Sequence, residues 1–329
     1  MYTILVSGGA GYIGSHTVQA LLEQGFKVVV LDSLALGHRK AVPGQAVFYE
    51  GDISDAGLIG RIVQDQQVEA VIHFAARSLV GESMLMPDLY FYENTAKTNI
   101  FVANLLRQGV KKIVFSSTAA VYGLPEVVPI LETAPTKPIN PYGASKLMIE
   151  QSFYWLEQAY GLKWIALRYF NAAGASLDGA IGEDHEPESH LIPLVLKTAL
   201  GQREAISVFG TDYNTPDGTC LRDYIHVVDL AEAHIAALQA LERGLESGAY
   251  NVGTGQGCSV REVIEVARKV TGRDIPVLEA ARREGDPDVL VAGVEKIRKK
   301  LGWQALYSDL ETIIATAWQW HKGHPRGYE

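Results

Sequence analysis

A glycine-rich turn between an apolar strand and a helix most constrains how this chain of 329 residues can fold. Residues 4–6 form a short apolar run, and Gly8, Gly11 and Gly14 follow it with the spacing G-x-x-G-x-x-G. A helical pattern then leads to a second apolar run at residues 27–31, so the segment predicts a βαβ unit of a parallel sheet. Glycines here let backbone N–H groups approach a pyrophosphate at a helix N-terminus, although a tight turn that needs positive φ would also select glycine.

An acidic residue closes the second predicted strand. Asp32 lies about 20 residues beyond the turn, where a carboxylate accepts hydrogen bonds from a ribose 2′-hydroxyl and repels a 2′-phosphate. With strand, helix and acid in place, a dinucleotide site is a better interpretation than a turn alone, and NAD is favoured over NADP. The predicted fold class is α/β, with a Rossmann-type, doubly wound parallel sheet.

Two further predicted strands bring more candidates to the same edge of the sheet. Asp52 and Ile53 follow the third strand, and Ala75 ends the fourth. Ligands bind at the carboxyl ends of parallel strands, so these three residues are candidates for contacts with the adenine and the linking phosphates. His73 lies inside an apolar run, and we interpret it as a core residue with satisfied ring nitrogens rather than as a ligand.

A helix with a tyrosine and a lysine four residues apart supplies the first catalytic candidates. Asn140 and Pro141 predict its N-terminus, and Gly161 predicts its end. Tyr142 and Lys146 share one face of the first turns, and a lysine ammonium beside a phenol favours the phenolate, which can act as a base. On spacing alone, an ordinary amphipathic helix is the better interpretation of this pattern.

The fifth predicted strand ends in a run of hydroxyl residues, Ser116, Ser117 and Thr118. Hydroxyl side chains often form turns, which is the simple interpretation. In a doubly wound sheet, however, this strand end and the helix of Tyr142 would both face the nicotinamide end of a cofactor site.

Composition bears on the remaining classes of function. The net charge of −9 gives no basic surface for nucleic acid, although local arginines could still bind an anionic substrate. Cys220 and Cys258 show neither metal-ligand spacing nor a disulfide framework, so we expect no metal ion and a reducing compartment. No signal peptide or membrane-spanning segment is evident, and a cytoplasmic protein without membrane contact is the expectation.

Together these motifs resemble the extended short-chain dehydrogenase/reductase superfamily. Longer segments are more similar still to the UDP-glucose 4-epimerase (UDP-galactose 4-epimerase) family, and the resemblance covers nearly the whole chain. Any one segment is a weak signal, whereas their order and joint spacing are specific. The segments are residues 8–16, 80–83, 142–150, 167–171, 217–219, 222–227 and 282–286.

The resemblance implies an enzyme that interconverts UDP-galactose and UDP-glucose through a 4-keto sugar while NAD stays bound. Tyr142 would take the proton of the sugar 4-hydroxyl while C4 gives hydride to the nicotinamide. Lys146 would hold the cofactor ribose hydroxyls and, with the nicotinamide charge, help to keep Tyr142 ionised. Thr118 would hydrogen-bond to the 4-oxygen. Relatives that eliminate water or remove a carboxylate carry acids just after the Ser/Thr. This chain has Ala119 and Ala120 there, which favours simple epimerisation.

The resemblance also implies binding residues. Arg222 and Arg283 suit a diphosphate because a guanidinium donates two parallel hydrogen bonds, although a surface ion pair is the commoner role of an arginine. Asp286 suits a ribose hydroxyl of UDP. The cofactor contacts correspond to Gly8, Gly11, Tyr12, Ile13, Gly14, Asp32, Asp52, Ile53, Phe74, Ala75, Asn94, Ser116, Tyr142, Lys146 and Phe170. The substrate contacts correspond to Thr118, Tyr142, Asn171, His190, Leu191, Arg222, Arg283, Asp286 and Leu290.

Three positions depart from the pattern of the family. Ser78 stands where the family often has a lysine, and Arg77 could replace that contact. His190 stands where some members have asparagine on the uracil side. Leu290 stands where some members that exclude N-acetyl sugars have tyrosine, and the smaller side chain motivates the hypothesis that UDP-N-acetylglucosamine is accepted as well.

The resemblance also suggests a division of the chain and a homodimer. We expect residues 1–170 to form the NAD-binding domain, with 222–244 returning to it, and 171–329 to form a smaller α/β substrate domain. In the family, helices that correspond to 87–108 and 142–160 form a four-helix bundle between two subunits. The alternative is that the aromatic residues of these helices cover the sheet, namely Phe91, Tyr92, Phe153 and Trp155.

Other functions remain open at this point. One rival is a different nucleotide-sugar C4 epimerase, for instance for a uronic acid, or a reductase on the same scaffold. A uronate enzyme needs a polar or cationic group for the sugar carboxylate, and Arg77 lies in a segment that could reach that end of the sugar. A rival from another class is a catalytically silent NAD-sensing protein, but such relatives usually lose the Tyr or the Lys, and both are present.

Overall fold

The computed structural model describes residues 2–283 and 285–329, so Glu284 of the 282–286 segment lies outside the described residues. The strands are β1 (Thr3–Ser7), β2 (Lys27–Asp32), β3 (Val47–Glu50), β4 (Ala70–His73), β5 (Lys112–Thr118), β6 (Lys163–Tyr169), β7 (Asn171–Ala173), β8 (Ile206–Phe209), β9 (Leu221–Arg222), β10 (Tyr224–His226), β11 (Gly248–Val252), β12 (Cys258–Ser259), β13 (Val277–Ala280) and β14 (Val289–Leu290). The helices are α1 (Tyr12–Glu23), α2 (Ala56–Gln66), α3 (Val80–Leu85), α4 (Pro87–Tyr90), α5 (Lys97–Arg107), α6 (Pro141–Tyr160), α7 (Leu191–Ala199), α8 (Val227–Glu242), α9 (Val260–Thr271), α10 (Glu295–Leu301) and α11 (Leu310–Gly323).

A parallel sheet forms the centre of the molecule. Within the described ranges it has seven strands in the order β11-β6-β5-β4-β1-β2-β3. Every residue of β1 is buried, as expected for a strand that helices cover on both sides. The chain runs outward from β1 to β3 and then returns to β4 on the other side of β1, which opens a crevice at the carboxyl ends of β1 and β4. The predicted doubly wound parallel sheet is confirmed.

Helices cover both faces of this sheet because each buries one apolar side. On one face, α1 packs against α8, and both share a core with β1 through residues such as Val18, Leu21 and Leu230. On the other face, α2, α5 and α6 bury Ile59, Phe101 and Phe153 against the sheet. The segment after β6 therefore contributes both a helix, α8, and an edge strand, β11, to the central layers.

The rest of the C-terminal part forms a smaller α/β unit with its own core. Strands β8 and β13 pair in parallel, and α7, α9 and α11 bury Val195, Ile264 and Ile313 beside them. Helix α9 begins with a capping box, in which Ser259 Oγ accepts from the backbone N–H of Glu262 at 3.0 Å. None of the helices in the described ranges combines the length and apolar character needed to cross a membrane.

Helix α6 and the helix before it test two local predictions. Asn140 caps α6 by accepting from the N–H of Gly143 at 2.8 Å, and Gly161 ends it in the left-handed conformation, as predicted. The pattern at 87–108, by contrast, is not one regular helix, because a π-helical turn at Phe91–Ala96 interrupts it. Such a turn holds an extra residue and often occurs at functional sites. It contains Asn94.

Candidate active site

The glycine-rich turn fits tightly between β1, β4 and α1. Gly8 has φ of +77°, and a Cβ atom there would lie 2.4 Å from the backbone nitrogen of Ala75. A Cβ atom on Gly14 would lie 2.1 Å from the carbonyl oxygen of Gly8. No side chain caps the N-terminus of α1 at Gly11, so its first N–H groups remain available to an anion. The turn therefore fits the pyrophosphate of a dinucleotide.

Asp32 lies beside this turn at the end of β2. Its Oδ2 accepts from the backbone N–H of Ala10 at 2.9 Å, and its Oδ1 accepts from that of Leu34 at 2.8 Å. Burial raises the pKa of Asp32, and these two hydrogen bonds offset part of the rise. Each oxygen keeps lone-pair capacity for a ribose hydroxyl, so the geometry is compatible with the predicted role.

The catalytic candidates lie together where β5 ends and α6 begins. Tyr142, Lys146 and Thr118 are all buried. The Nζ of Lys146 donates to the carbonyl oxygen of Ser116 at 3.0 Å and lies 4.9 Å from the ring centre of Phe115. The strand end and the helix therefore meet, as the sequence predicts.

Burial shifts the pKa values of both members of this pair. Burial raises the pKa of Tyr142, and the Thr118 hydroxyl offsets part of that rise. Burial also lowers the pKa of Lys146 to about 7. Within the protein alone, desolvation therefore disfavours the charged forms of both side chains, and the role of Lys146 in ionising Tyr142 stays a prediction. Further positive charge is needed to ionise Tyr142.

A buried hydrogen-bond network behind α6 was missed from the sequence. Glu150, two turns beyond Tyr142, pairs with Arg168 of β6, and Ser117 donates to the same carboxylate. Arg168 also donates to the hydroxyl of Tyr122 at 3.0 Å, which in turn donates to Asn251 of β11 at 2.6 Å. The network fixes α6 relative to β5, β6 and β11. Apart from the acid on the catalytic helix, no sequence signal indicated it.

Other predicted cofactor residues make their observed contacts within the protein. Asp52 accepts from Lys97 at 2.7 Å and from the Ser54 backbone at 2.8 Å. The amide of Asn94 donates to the carbonyl of Arg77 and to Ser145 Oγ, both at 3.0 Å, and its oxygen accepts from the N–H of Arg77. Asn94 therefore ties the segment after β4 to α6. For both residues, direct contact with the cofactor stays a prediction.

The remaining cofactor candidates also make their observed contacts within the protein. Ala75 donates to the carbonyl of Ser7, and Ile53, Ile13, Phe74 and Phe170 pack against the cores that flank the sheet. Tyr12 donates from its hydroxyl to the carbonyl of Gly174 at 2.6 Å, and Ser116 Oγ lies 2.6 Å from the hydroxyl of Tyr169. His73 is a satisfied core residue as predicted, since its ring nitrogens meet Ser7 Oγ at 2.7 Å and Thr98 Oγ1 at 2.8 Å.

The substrate candidates described next lie on short strands and loops of the C-terminal part. Arg222 donates to the carbonyls of Leu221 and Pro287, both at 2.9 Å, and lies 3.5 Å from Asp286. Arg283 is exposed, with its guanidinium 4.0 Å from the ring centre of Phe209. The backbone and side-chain nitrogens of Asn171 both donate to the carbonyl of Asp223.

Leu290 connects this substrate side to the catalytic residues. It pairs with Arg222 across β14 and β9. It also packs against the small apolar cluster that follows Thr118, which contains Ala119, Val121, Tyr122 and Ile130. Leu290 thus lies next to Arg222, a predicted diphosphate contact, and next to the cluster that follows the catalytic candidate Thr118.

His190 and Leu191 begin α7, where a second missed group of side chains lies. His190 is the N-cap residue and Leu191 is the first helical residue. Glu183, His185, Glu188 and His190 place one donor atom each within 4.8 Å of one another. The signal that could have revealed this group is the spacing Glu-x-His-x-x-Glu-x-His. The expectation of no metal ion rests on Cys220 and Cys258, which lie outside this group.

The fold and the site together define a class. A doubly wound parallel sheet whose carboxyl edge carries a glycine-rich turn, an acid and a buried Tyr–Lys pair is that of an extended short-chain dehydrogenase/reductase. A family model described as the NAD dependent epimerase/dehydratase family matches residues 4–253. The chain belongs to that family, and its cofactor is NAD.

Individual relatives narrow the comparison. The UDP-glucose 4-epimerase of Halalkalibacterium halodurans is 56% identical over 325 residues, which are 99% of this chain and 97% of that protein. The crystal structure of UDP-glucose 4-epimerase from Brucella ovis in complex with NAD has a TM-score of 0.95 and 46% identity, covering 97% of this chain and 98% of that one. The structure of the UDP-Glc/GlcNAc 4-epimerase from Campylobacter jejuni has a TM-score of 0.87 and 44% identity, covering 98% of this chain and 100% of that one.

Proposed function

We propose that this chain is an NAD-dependent UDP-hexose 4-epimerase that interconverts UDP-galactose and UDP-glucose by oxidising and re-reducing C4. The observation that carries the proposal is the buried group of Tyr142, Lys146 and Thr118 at one strand end, followed by Ala119 and Ala120. A proton acceptor is present there. The acids that would drive elimination or decarboxylation are replaced by two methyl groups. Oxidation and re-reduction is the chemistry that this set of groups supports.

The protein's own groups have distinct roles in this proposal. Tyr142 takes the proton of the 4-hydroxyl and returns it after the keto sugar has turned over. Thr118 accepts from the N–H of Ala120 at 3.1 Å, which leaves its hydroxyl proton for donation to the 4-oxygen. Lys146, whose Nζ donates to the carbonyl of Ser116, would hold the ribose hydroxyls of the cofactor. NAD, when bound, would supply the hydride acceptor and donor for C4 and a positive charge that favours the ionised form of Tyr142.

The test uses purified protein with no added cofactor. It is incubated with UDP-galactose, and UDP-glucose is measured by NMR. Conversion without added NAD is the expected result, because the proposal has NAD remain on the protein through each cycle. No conversion, even after NAD is added, would contradict the proposal, and UDP-glucuronate in a parallel tube then tests the uronate rival.

Tyr142→Phe should lower kcat by about 10²- to 10⁴-fold, the usual contribution of a positioned acid–base group. Bound NAD, released by denaturation and quantified by chromatography, should stay at the parent level because the ring itself is kept. Tyr2→Phe is the matched control, since the hydroxyl of Tyr2 bonds to Glu242 at the amino end of β1. Full activity of the Tyr142 variant would remove this residue from the mechanism.

One contact weighs against the uronate rival. The guanidinium of Arg77 lies 3.3 Å from a carboxylate oxygen of Glu82, and the hydroxyl of Tyr90 donates to the same carboxylate at 2.8 Å. Asn94 holds the backbone of Arg77 from the other side. To receive the carboxylate of a sugar acid, Arg77 would have to separate from Glu82, whose carboxylate also accepts from Tyr90.

The proposal includes a second class of substrate, because Leu290 is smaller than the tyrosine that some family members have at this position. Its contacts with the cluster after Thr118 and its pairing with Arg222 support a place beside the hexose. We propose that the pocket also accepts UDP-N-acetylglucosamine. Leu290→Tyr should lower N-acetyl sugar turnover more than UDP-galactose turnover, because the larger ring fills the space of the N-acetyl group. Equal N-acetyl turnover by parent and variant would contradict this.

The proposed homodimer uses the exposed side of α5 and α6. Trp155 is 69% exposed and Tyr92, just before α5, is 57% exposed, with Ile100 and Met148 exposed on the same two helical segments. Phe153, by contrast, is fully buried and covers the sheet. An apolar surface of this kind supports a second copy of the chain as its partner. The mass in solution should be twice that of the chain, and Trp155→Glu should shift it toward one chain. A monomeric parent would contradict the proposal.

The division of the chain also remains a proposal. Residues 1–170 and 222–244 would form the NAD-binding domain and the rest of 171–329 the substrate domain; the pairing of β11 with β6 supports extending the returning segment to Val252. Hydrogen exchange should then protect β11 together with β6 rather than with β8.

A reducing, cytoplasmic setting is also part of the proposal, supported by two cysteines that are both free thiols. A count of reactive thiols on the native protein tests it.

A further inference from the structure

Four potential metal ligands converge in the loop that leads into α7. Glu183, His185, Glu188 and His190 lie within eight consecutive residues, so the chain folds back on itself to bring them together. Their donor atoms all lie within 4.8 Å of one another. None of these side chains has a part in the proposed chemistry at C4.

The separations match those of ligands around one ion. Nδ1 of His190 lies 2.8 Å from Glu183 Oε1 and 3.0 Å from Glu188 Oε1. Nδ1 of His185 lies 3.1 Å from Glu183 Oε1 and 3.8 Å from Glu188 Oε2. Ligands of a tetrahedral zinc ion, at bond lengths of about 2.0–2.1 Å, are about 3.3 Å apart. The observed distances lie on both sides of that value.

A buried carboxylate oxygen points to a ligand independently of this geometry. The side chain of Glu188 is 3% exposed, and among the described residues its Oε2 has no hydrogen-bond partner. This oxygen faces His185 across the cluster at 3.8 Å. A buried polar atom without a partner is costly, and a cation within the cluster would satisfy it.

The alternative is a pair of protonated histidines. Burial opposes protonation, but the Glu183 carboxylate raises the pKa of His190 to about 10 and also raises that of His185. Two imidazolium rings would then lie 5.3 Å apart, and Oε2 of Glu188 would stay without a partner. A divalent cation with two neutral imidazoles and two carboxylates balances the charge and engages all four side chains.

We propose that Glu183, His185, Glu188 and His190 bind one divalent first-row transition-metal ion, with Zn²⁺ preferred. Two imidazole nitrogens and two carboxylate oxygens suit zinc, and four protein ligands leave no open position, as in structural sites.

The bound metal would fix the loop of residues 183–190 between the glycine-rich turn and α7. The ring of His185 meets the ring of Tyr12 edge-on at 6.2 Å, the carbonyl of Glu183 accepts from Trp320 at 3.2 Å, and His190 directly precedes α7.

The test measures metal content on full-length protein made without a histidine tag. After incubation with zinc and exhaustive dialysis, elemental analysis by mass spectrometry should find one zinc ion per chain. Replacement of zinc by Co²⁺ should give the visible d–d absorption of a tetrahedral cobalt site with nitrogen and oxygen ligands. Removal of zinc by a chelator should lower the melting temperature, and restored zinc should restore it. If the parent binds no zinc, the proposal is overturned, and the alternative of two protonated histidines accounts for the cluster.

Variants locate the ion. His185→Ala and His190→Ala should each reduce zinc to background, whereas the control His38→Ala should retain it. His38 contacts the same loop through the carbonyl of Asp184 at 3.1 Å but lies outside the cluster. Zinc that persists in both ligand variants would place the ion elsewhere and overturn the proposal. If those variants do not fold, the metal content and cobalt spectrum of the parent decide the question alone.

Discussion

The floor and the rim of the candidate site are built in different ways. The floor, defined by Tyr142, Lys146, Glu150 and Arg168, is buried and held by α6, β5 and β6. The rim, defined by Arg222, Arg282, Arg283 and Asp286, lies on short strands and loops. Its arginines pair with nearby carboxylates and carbonyls or stack on aromatic rings.

This difference indicates which part of the site does the chemistry and which part binds. Fixed charges in a dry site stabilise a transition state strongly because they need no reorganisation during the reaction. Exposed ion pairs contribute little to stability, so a diphosphate can replace them at a small cost. Substitutions in the floor should therefore change folding and kcat, and substitutions in the rim should change KM.

The largest expected effect on stability is that of Glu150→Gln. The change leaves the Arg168 guanidinium buried without its counter-charge, and breaking a buried pair in this way destabilises a protein by about 3–5 kcal/mol. Urea unfolding of parent and variant measures the difference. The control is Asp212→Asn, which breaks the exposed pair with Arg282 and should leave the free energy of unfolding unchanged within error. Equal effects of the two substitutions would remove the distinction between floor and rim.

Arg283→Ala should act on substrate binding alone. Loss of a charged hydrogen bond to the diphosphate is worth about 1.5–3 kcal/mol, so KM for UDP-galactose should rise about 10- to 100-fold while kcat and bound NAD change little. Steady-state kinetics measure the split.

The neighbouring residue provides the control for this prediction. Arg282 is already paired with Asp212 and lies over the ring of Tyr213 at 4.0 Å. Arg282→Ala should therefore leave KM near the parent value. If Arg282→Ala raises KM and Arg283→Ala does not, the residue that contacts the diphosphate is Arg282 rather than Arg283.

The glycine-rich turn and the Tyr142–Lys146 pair could be predicted from the sequence as far as short-range patterns reach. The spacing of Gly8, Gly11 and Gly14 fixes a strand end and a helix start, and the four-residue spacing of Tyr142 and Lys146 fixes a shared helix face. These rules depend only on neighbours in the chain. The confirmed parallel sheet then determines which strand ends meet at one edge.

Partners that are distant in sequence could not be predicted. Asp52 is held by Lys97, and Glu150 by Arg168, through contacts that exist only after the sheet has formed. The charge state of Lys146 depends on burial by the whole domain, which spacing does not reveal. The histidine–glutamate cluster before α7 is local in sequence, but the convergence of its four side chains depends on a loop geometry that no periodicity indicates.

The last prediction concerns acid sensitivity in the cofactor half. Burial lowers the pKa of His16 to about 4 and that of His234 to about 4, and burial together with the charge of Lys146 lowers that of His73 to about 3. The folded protein therefore keeps these rings neutral while the unfolded chain binds protons below about pH 6.5. Stability should be fully present above that pH and fall as the pH drops toward 4. At pH 5, each ring with a folded pKa near 4 accounts for about 2 kcal/mol of the loss.

His234→Leu should remove one such contribution. The fall in unfolding free energy between pH 7 and pH 5 should be smaller in the variant by about 2 kcal/mol, which urea titrations at the two values measure. The control is His324→Leu. Both rings bond to the carbonyl four residues earlier, at 2.8 Å for His234 and 3.2 Å for His324, but His324 is partly exposed at the end of α11. The control should keep the parent's dependence on pH. The same slope in both variants would mean that His234 is not held neutral, and that acid acts on the cofactor half through other groups.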